Sequence, residues 1–466
     1  MKPLKKINII GYGAGDVANN LAFTTASMFL LVYYTDAAGI SAAAAGTLLL
    51  VVRVFDAFAD IFAGRMVDRV FTRRWGKFRP FIMFGSVPLL LLTFAVFHVP
   101  NASATAELVY AYISYAALGL AYSLVNIPYG SLAGAMTQDP AERAKLASAR
   151  TVGALLVAAI LGMVVAPMLG NSADLQRIFS WLTGGFIVIG VALYLFCAFT
   201  TREQVQRDVP QVTLRQSVET LKGNVPLLML SLSSLTLLAG LMTLSTVQLY
   251  FFRDVMGNLG LYAVASGIQL FVTLVLSVFM PRLVKALGKR TVYMVFGAIM
   301  MLGGIVVFLA PTGVALLAVV GVSIVNLGAA GVSIVIWAME ADTVEYGEWK
   351  TGVRTEGIIY ALFSFTRKAG QAIGGALAAY ALAWGGYDAA SSVQSDHAML
   401  GIRLAAGAIP LVMAGLAVLI MSRYKLTDLV HASILHDIHE RRALAQGSVI
   451  PETPPAGTDS TKHPAK

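Results

Sequence analysis

The chain has 466 residues, of which 57% are hydrophobic and only 13% charged, with a mean hydropathy of +0.74. Soluble domains carry about 25% charged residues, so the composition excludes a soluble enzyme and points to an all-α, polytopic membrane protein. Six histidines and one cysteine leave little for a metal centre or a disulfide framework, and the net charge of +9 reads as basic loops on the cytoplasmic side of a membrane rather than as a nucleic-acid surface.

A helical span takes about 20 apolar residues, and twelve candidates begin near Ile9, Ala42, Phe81, Leu108, Val152, Phe179, Pro226, Tyr262, Thr291, Ala315, Gly357 and Gly401. The basic start MKPLKK leads into Asp16, Asn19 and Asn20 with no small-residue cleavage site, so the first stretch is expected to be a retained span and not a signal peptide. GYGAGD, ending at Asp16, lacks the strand and lysine of a nucleotide loop; its glycines suit helix packing. Asp16 is either an interfacial cap or a polar wall of a cavity.

The second span holds Arg53, Asp56 and Asp60. A charge at mid-bilayer costs roughly 2.5–3.5 kcal/mol on insertion scales, and residues three and four apart share a helix face. The three are expected to form one ridge turned away from lipid, either a packing ion pair or a site where a carboxylate takes a proton or a small cation. RWGKFRP, from Arg74 to Pro80, is a basic loop that can bind anionic lipid or gate, with Arg74 and Lys77 pairing with Asp68 or with acids across the molecule. In the fourth span Tyr122 and Asn126 share a face, and Pro128 is expected to interrupt the helix and free backbone groups to line a cavity. Cys197 reads as a packing residue. Trp337 and Tyr360 are aromatics that can pack or stack on a sugar. Asp342, Glu345, Glu348 and Arg354 are candidates for gate ion pairs. Arg367 and Lys368 lie about ten residues into the eleventh span, where they can counter the second-span acids or an anionic substrate.

Basic loops alternate with neutral ones along the whole chain, which places the basic set and both termini in the cytoplasm. One neutral loop holds only Arg177 and another only Arg253. Residues 1–200 and 225–425 form two six-helix halves joined by a polar linker over 201–224, and 426–466 reads as a disordered cytoplasmic tail. The run from Arg65 to Gly85 repeats weakly from Arg282 to Gly297, between the second and third spans of each half. Parallel repeats of this kind suggest the major facilitator architecture with twelve transmembrane helices.

GDVANN, YYTD (Tyr33 to Asp36), RVFDAFAD, RWGKFRP, VNIPYGSL, EADTVEYGE and FSFTRK occur together. The chain thereby resembles the glycoside–pentoside–hexuronide:cation symporters, the family that includes the melibiose permease, from about residue 7 to 425. The resemblance is strongest to the members that carry glucuronides. It implies a cation site at Asp56 and Asp60 with Lys368 nearby, and a sugar site at Asn20, Asn126 and Arg150. Asn20 and Asn126 stand where the melibiose carrier has acids, a change that suits an anionic sugar better than a neutral one. With Asp16, Tyr122, Trp337 and Arg367 these residues make up the expected substrate site.

The reading is a secondary symporter in the bacterial inner membrane that imports glucuronides with H+ by alternating access. Alternatives are a neutral or sulfonated glycoside, Na+ held at Asp56 and Asp60, or a lysolipid carrier of the same fold. No enzyme chemistry, cofactor, resident metal, nucleic acid or obligate protein partner is expected; the partners are the glycoside, the cation and membrane lipid.

Overall fold

The computed structural model describes residues 3–445, apart from 71, 73, 138, 171–173, 205–222, 353–355 and 392. Helices dominate, and polar caps start many of them. The first half comprises α1 (Lys6–Val32), α2 (Ala42–Arg69), α3 (Arg79–Val96), α4 (Ala104–Met136), α5 (Pro140–Ile160) and α6 (Leu175–Thr200). The second comprises α7 (Val225–Tyr250), α8 (Gly260–Leu287), α9 (Lys289–Leu309), α10 (Ala315–Thr351), α11 (Glu356–Trp384) and α12, which runs from Asp396–Arg403 through a π turn into Ile409–Met421. Side-chain oxygens of Ser41, Ser103, Asp174, Asn224 and Ser395 accept the first free backbone N–H groups of α2, α4, α6, α7 and α12, as N-caps do.

Ten of the described helices are long and apolar enough to cross a bilayer. α1 and α11 are equally long and complete the twelve, but they carry Asp16, Asn19 and Asn20, and Thr366, Arg367 and Lys368. Both helices touch the opposite half, α11 along α2 and α1 against α7.

Packing repeats between the halves. α1 lies on α5 and α6 as α7 lies on α11 and α12; α4 lies on α2 and α3 as α10 lies on α8 and α9. The halves meet along two equivalent seams, α2 on α11 and α8 on α5 with its π-turn extension Leu161–Val165. α1 and α7 each end in a π turn, Tyr33–Ala37 and Phe251–Val255, at matching positions. The repeat seen weakly in the sequence is therefore a repeat of packing.

Two expectations are corrected. Pro128 does not interrupt α4, which is continuous from Ala104 to Met136; the N–H that proline lacks is one bond in a long ladder, and neighbouring helices support the turn. The tail is not wholly disordered. Asp428–Ala445 forms a helix, α13, packed on α10 with Ile434 and Ile438 buried. Asp437 accepts from the Trp349 indole at 2.9 Å, His431 bonds Glu345, and Arg441 donates to the Trp349 carbonyl at 2.9 Å. Residues 446–466 lie outside the described residues.

α9 and α10 approach closely at Gly328, where a Cβ would stand 2.5 Å from the Met300 nitrogen and 2.6 Å from the Phe296 oxygen. These are backbone atoms and cannot swing aside. Gly328→Leu is expected to destabilise the purified protein by about 1–3 kcal/mol, read as a lowered thermal midpoint; an unchanged midpoint would show that the helices part freely there.

Candidate functional site

Four clusters of charged and aromatic side chains lie in the middle of the helices. In the first, Arg53 Nη1 is 3.6 Å from Asp56 Oδ2 and its guanidinium sits 5.2 Å over the Phe23 ring. Phe23 stacks on Tyr122 at 5.5 Å, which ties α1 to α4. Asp56 is 7% exposed, and its Oδ1 is buried with no hydrogen-bond partner. That oxygen presses against α4 at Gly119, where a Cβ would overlap it. A cavity of about 30 Å³ adjoins Arg53, Asp56, Tyr115 and Tyr122, enough for a water molecule or a small ion and too small for a sugar.

In the second cluster, Asp60 accepts from Ser123 at 2.6 Å through one oxygen and pairs with Lys368 through the other. This bond crosses between the halves, from α2 to α11. The expected single ridge is therefore split: Arg53 holds Asp56, and Asp60 is held from the opposite half.

In the third, Arg150 Nε donates to Asp16 at 3.0 Å, and Asn20 donates to the same carboxylate at 2.9 Å and to the Asp16 carbonyl at 2.8 Å. Thr24 continues the chain to Asn20 at 2.9 Å. Arg150 lies 5.2 Å over Tyr129, which stacks on Tyr12. In the fourth, Arg367 stacks 4.7 Å over Trp337, within electrostatic reach of the buried Glu340. Tyr122 lies within electrostatic reach of Asp16, Arg150, Arg53 and Asp60, between three of the clusters. Asn126 is half-buried on α4 and makes no side-chain hydrogen bond among the described residues.

A separate network joins the halves at the neutral-loop end. Arg253 donates to Asp36 at 2.6 Å, to both oxygens of Asp254 at 2.8 and 3.0 Å, and to the Tyr387 hydroxyl at 2.6 Å. Tyr387 donates to Asp36 at 3.1 Å. Burial, reinforced by the negative charge of Asp36, pushes the Tyr387 phenol above its ordinary range, so it remains a donor. Thr35 and Tyr250 share a 2.7 Å bond beside it, and Thr47 and Tyr380 bond at 3.0 Å. Arg253 belongs to the π turn after α7 and not to a loop. Sequence reasoning missed this network; the available signal was YYTD in the first half facing FFRD at the matching place in the second.

Of the expected gate residues at the basic-loop end, Asp342, Glu345 and the backbone of Lys77 bond within their own halves. Asp342 accepts from Lys289 at 2.6 and 2.7 Å and lies 3.6 Å from His431. Asp342, Glu345 and His431 are close enough to hold a metal ion, but the Lys289 ammonium already meets that charge and the cluster docks α13. Backbone N–H groups of Lys77, Phe78 and Arg79 donate to Glu203 at 2.8, 2.8 and 3.2 Å, which pins the basic loop within the first half. Arg74 stacks on Trp75 at 5.1 Å. Arg354 and the side chains of Asp68 and Tyr360 lie outside the described residues.

Residues 11–428 match the family model described as MFS/sugar transport protein. The chain belongs to that family. It is 44% identical over 442 residues to the "Glucuronide carrier protein homolog" of Escherichia coli (strain K12), covering 94% of this chain and 96% of that one. It is 34% identical to the "Isoprimeverose transporter" of Lactiplantibacillus pentosus, covering 93% and 91%. The crystal structure of a point mutant of the nucleoside transporter NupG superposes with a TM-score of 0.63 at 12% identity, covering 89% of this chain and all of that one; this likeness shows the fold. The protein is a multi-pass membrane transporter of the major facilitator type and not an enzyme.

Two results are expected of the carrier. Gly119→Ala displaces the Asp56 carboxylate and is expected to shift the ion concentration for half-maximal transport about tenfold, the worth of one charge-assisted contact, whereas Gly64→Ala, with open space around it, leaves it unchanged. Lys368→Gln strands Asp60 and lowers the thermal midpoint, and adding Asp60→Asn recovers part of the loss; a double variant as unstable as the sum of the singles would mean that the pair is not coupled.

Proposed function

We propose that this carrier is a proton-coupled importer of glucuronides and related hexuronide glycosides. The observation that supports this reading is the charge balance at mid-helix: Arg53, Arg150, Arg367 and Lys368 stand against Asp16, Asp56, Asp60 and Glu340. By itself this set is neutral. A uronate entering alone leaves it net negative, and a cation entering alone leaves it net positive, both costly at low dielectric. Together they restore neutrality, which couples the two.

Asp56 is the best acceptor for the proton. One of its oxygens has no partner, and protonation loosens Arg53 without placing a metal ion near an existing ammonium. Asp60 already carries Lys368, which disfavours Na+ beside it. Arg150 is 39% exposed although it lies mid-helix, and it can exchange Asp16 for a substrate carboxylate in a paired geometry. The name of the 44% identical relative and the asparagines at positions 20 and 126 point the same way.

The basic loops support a cytoplasmic orientation for that end. The Asp36–Arg253–Tyr387 network then closes the periplasmic end, and the structure corresponds to a carrier sealed to the outside. Import requires this network to open and the basic end to close.

In membrane vesicles with an imposed inward proton gradient, a glucuronide should accumulate and a neutral glycoside with the same aglycone should not. Asp56→Asn should abolish accumulation driven by the gradient while preserving exchange of labelled for unlabelled glucuronide. Accumulation of the neutral glycoside alone would refute the anionic substrate. Full accumulation by Asp56→Asn would refute coupling through that residue.

A further inference from the structure

At the basic-loop end, between α9 and α12, a cavity of about 470 Å³ opens beside the start of α13. Its rim is polar, with Arg290 and Thr291 in the first turn of α9. Its deeper wall is apolar: Met294, Val295 and Ala298 lie one and two turns further along α9, and Val418 faces them from the last turn of α12. At 1.5 Å per residue, the polar-to-apolar gradient runs about 12 Å into the level of the helices. None of these residues belongs to the transport site.

Arg290 is the unusual member. It is half-buried, and its hydrogen bond among the described residues is one Nη2 donation to the Ser422 carbonyl. Its Nε–H is buried without a partner, and no carboxylate pairs with it among the described residues. A guanidinium offers five donors, so most of its capacity is unspent. The acid at the same rim, Asp428, is already engaged by the Lys289 backbone N–H at 2.8 Å and its ammonium at 3.5 Å. The segment that accepts from Arg290 continues into the exposed cations Arg423 and Lys425. Leu429, next to Asp428 in the first turn of α13, is 84% exposed, an apolar side chain suited to the headgroup level of a bilayer.

We propose that this cavity holds an anionic glycerophospholipid of the surrounding bilayer. The phosphate sits against Arg290 and an acyl chain lies along Val295, Ala298 and Val418. A basic rim over an apolar cleft at the end of transmembrane helices is the chemistry that selects an anionic headgroup over a zwitterionic one. The lipid completes the coordination of Arg290 and wedges the α12–α13 junction against α9.

The test is native mass spectrometry of the purified full-length carrier with dioleoyl phosphatidylglycerol, dioleoyl phosphatidylcholine and glycerol phosphate as probes. The phosphatidylglycerol adduct should survive activation that strips phosphatidylcholine, and glycerol phosphate should not be retained. Arg290→Gln should weaken phosphatidylglycerol retention about tenfold, while Arg290→Lys keeps most of it. Ala298→Phe, which fills the apolar wall with the charge intact, should also remove it. Arg282→Gln, a cation at the same end that stacks on Phe279, should have no effect. Equal retention of the two lipids, indifference to Arg290→Gln, or glycerol phosphate binding as tightly as the lipid would each overturn the proposal.

Discussion

A charge cannot stay unpaired in the middle of a bilayer, and this constraint organises the molecule. The acids of the first half are met by Arg53, Arg150 and Lys368, each from a different helix. These pairs are not primarily a source of stability, because desolvation consumes much of the Coulombic gain of a buried ion pair. Their consequence is conditional: remove or neutralise one member and the other needs a new partner. A transporter can use that condition, since a proton on a carboxylate releases a cation to receive an anion.

The fold supplies the geometry in which such exchanges can move the halves. The Asp60–Lys368 pair crosses the α2–α11 seam, and the Asp36–Arg253–Tyr387 network crosses the neutral-loop end. Both therefore report on how the halves sit. At the basic-loop end, Glu203 and Lys289 tie loops and helix ends within single halves. Such bonds stiffen each half as a body and leave the relative motion to the seams, as alternating access by two rigid repeats requires.

Much of this was legible in the sequence, and the physical reason is the cost of charge in oil. Asp56, Asp60 and Lys368 stand out because apolar spans offer no cheap place for them, whereas Arg150, just ahead of its apolar run, is singled out only by the family resemblance. Their partners were less legible: Asp60 and Lys368 are 308 positions apart, and no local pattern encodes that contact. Gly119 was invisible because its role is to be small opposite Asp56. Glu340 was hidden because it opens the acid-rich run EADTVEYGE, which in sequence reads as the end of a span, whereas the helix continues to Thr351. Arg253 reads as a loop residue because hydropathy cannot separate a loop from a π turn that continues a helix. Helix α13 is polar on most of its surface, so its apolar pattern was weak; Trp349, Glu345 and Asp342 of α10 dock it from outside.

The most direct test of a site that stays neutral by taking one proton with one uronate is the charge moved per substrate. Reconstituted carrier on a solid-supported membrane, with external pH recorded in parallel, separates proton movement from net current. Uptake of a singly charged glucuronide should alkalinise the outside and carry no steady net charge. A sustained current during glucuronide uptake, or uptake without a pH change, would contradict charge-balanced coupling.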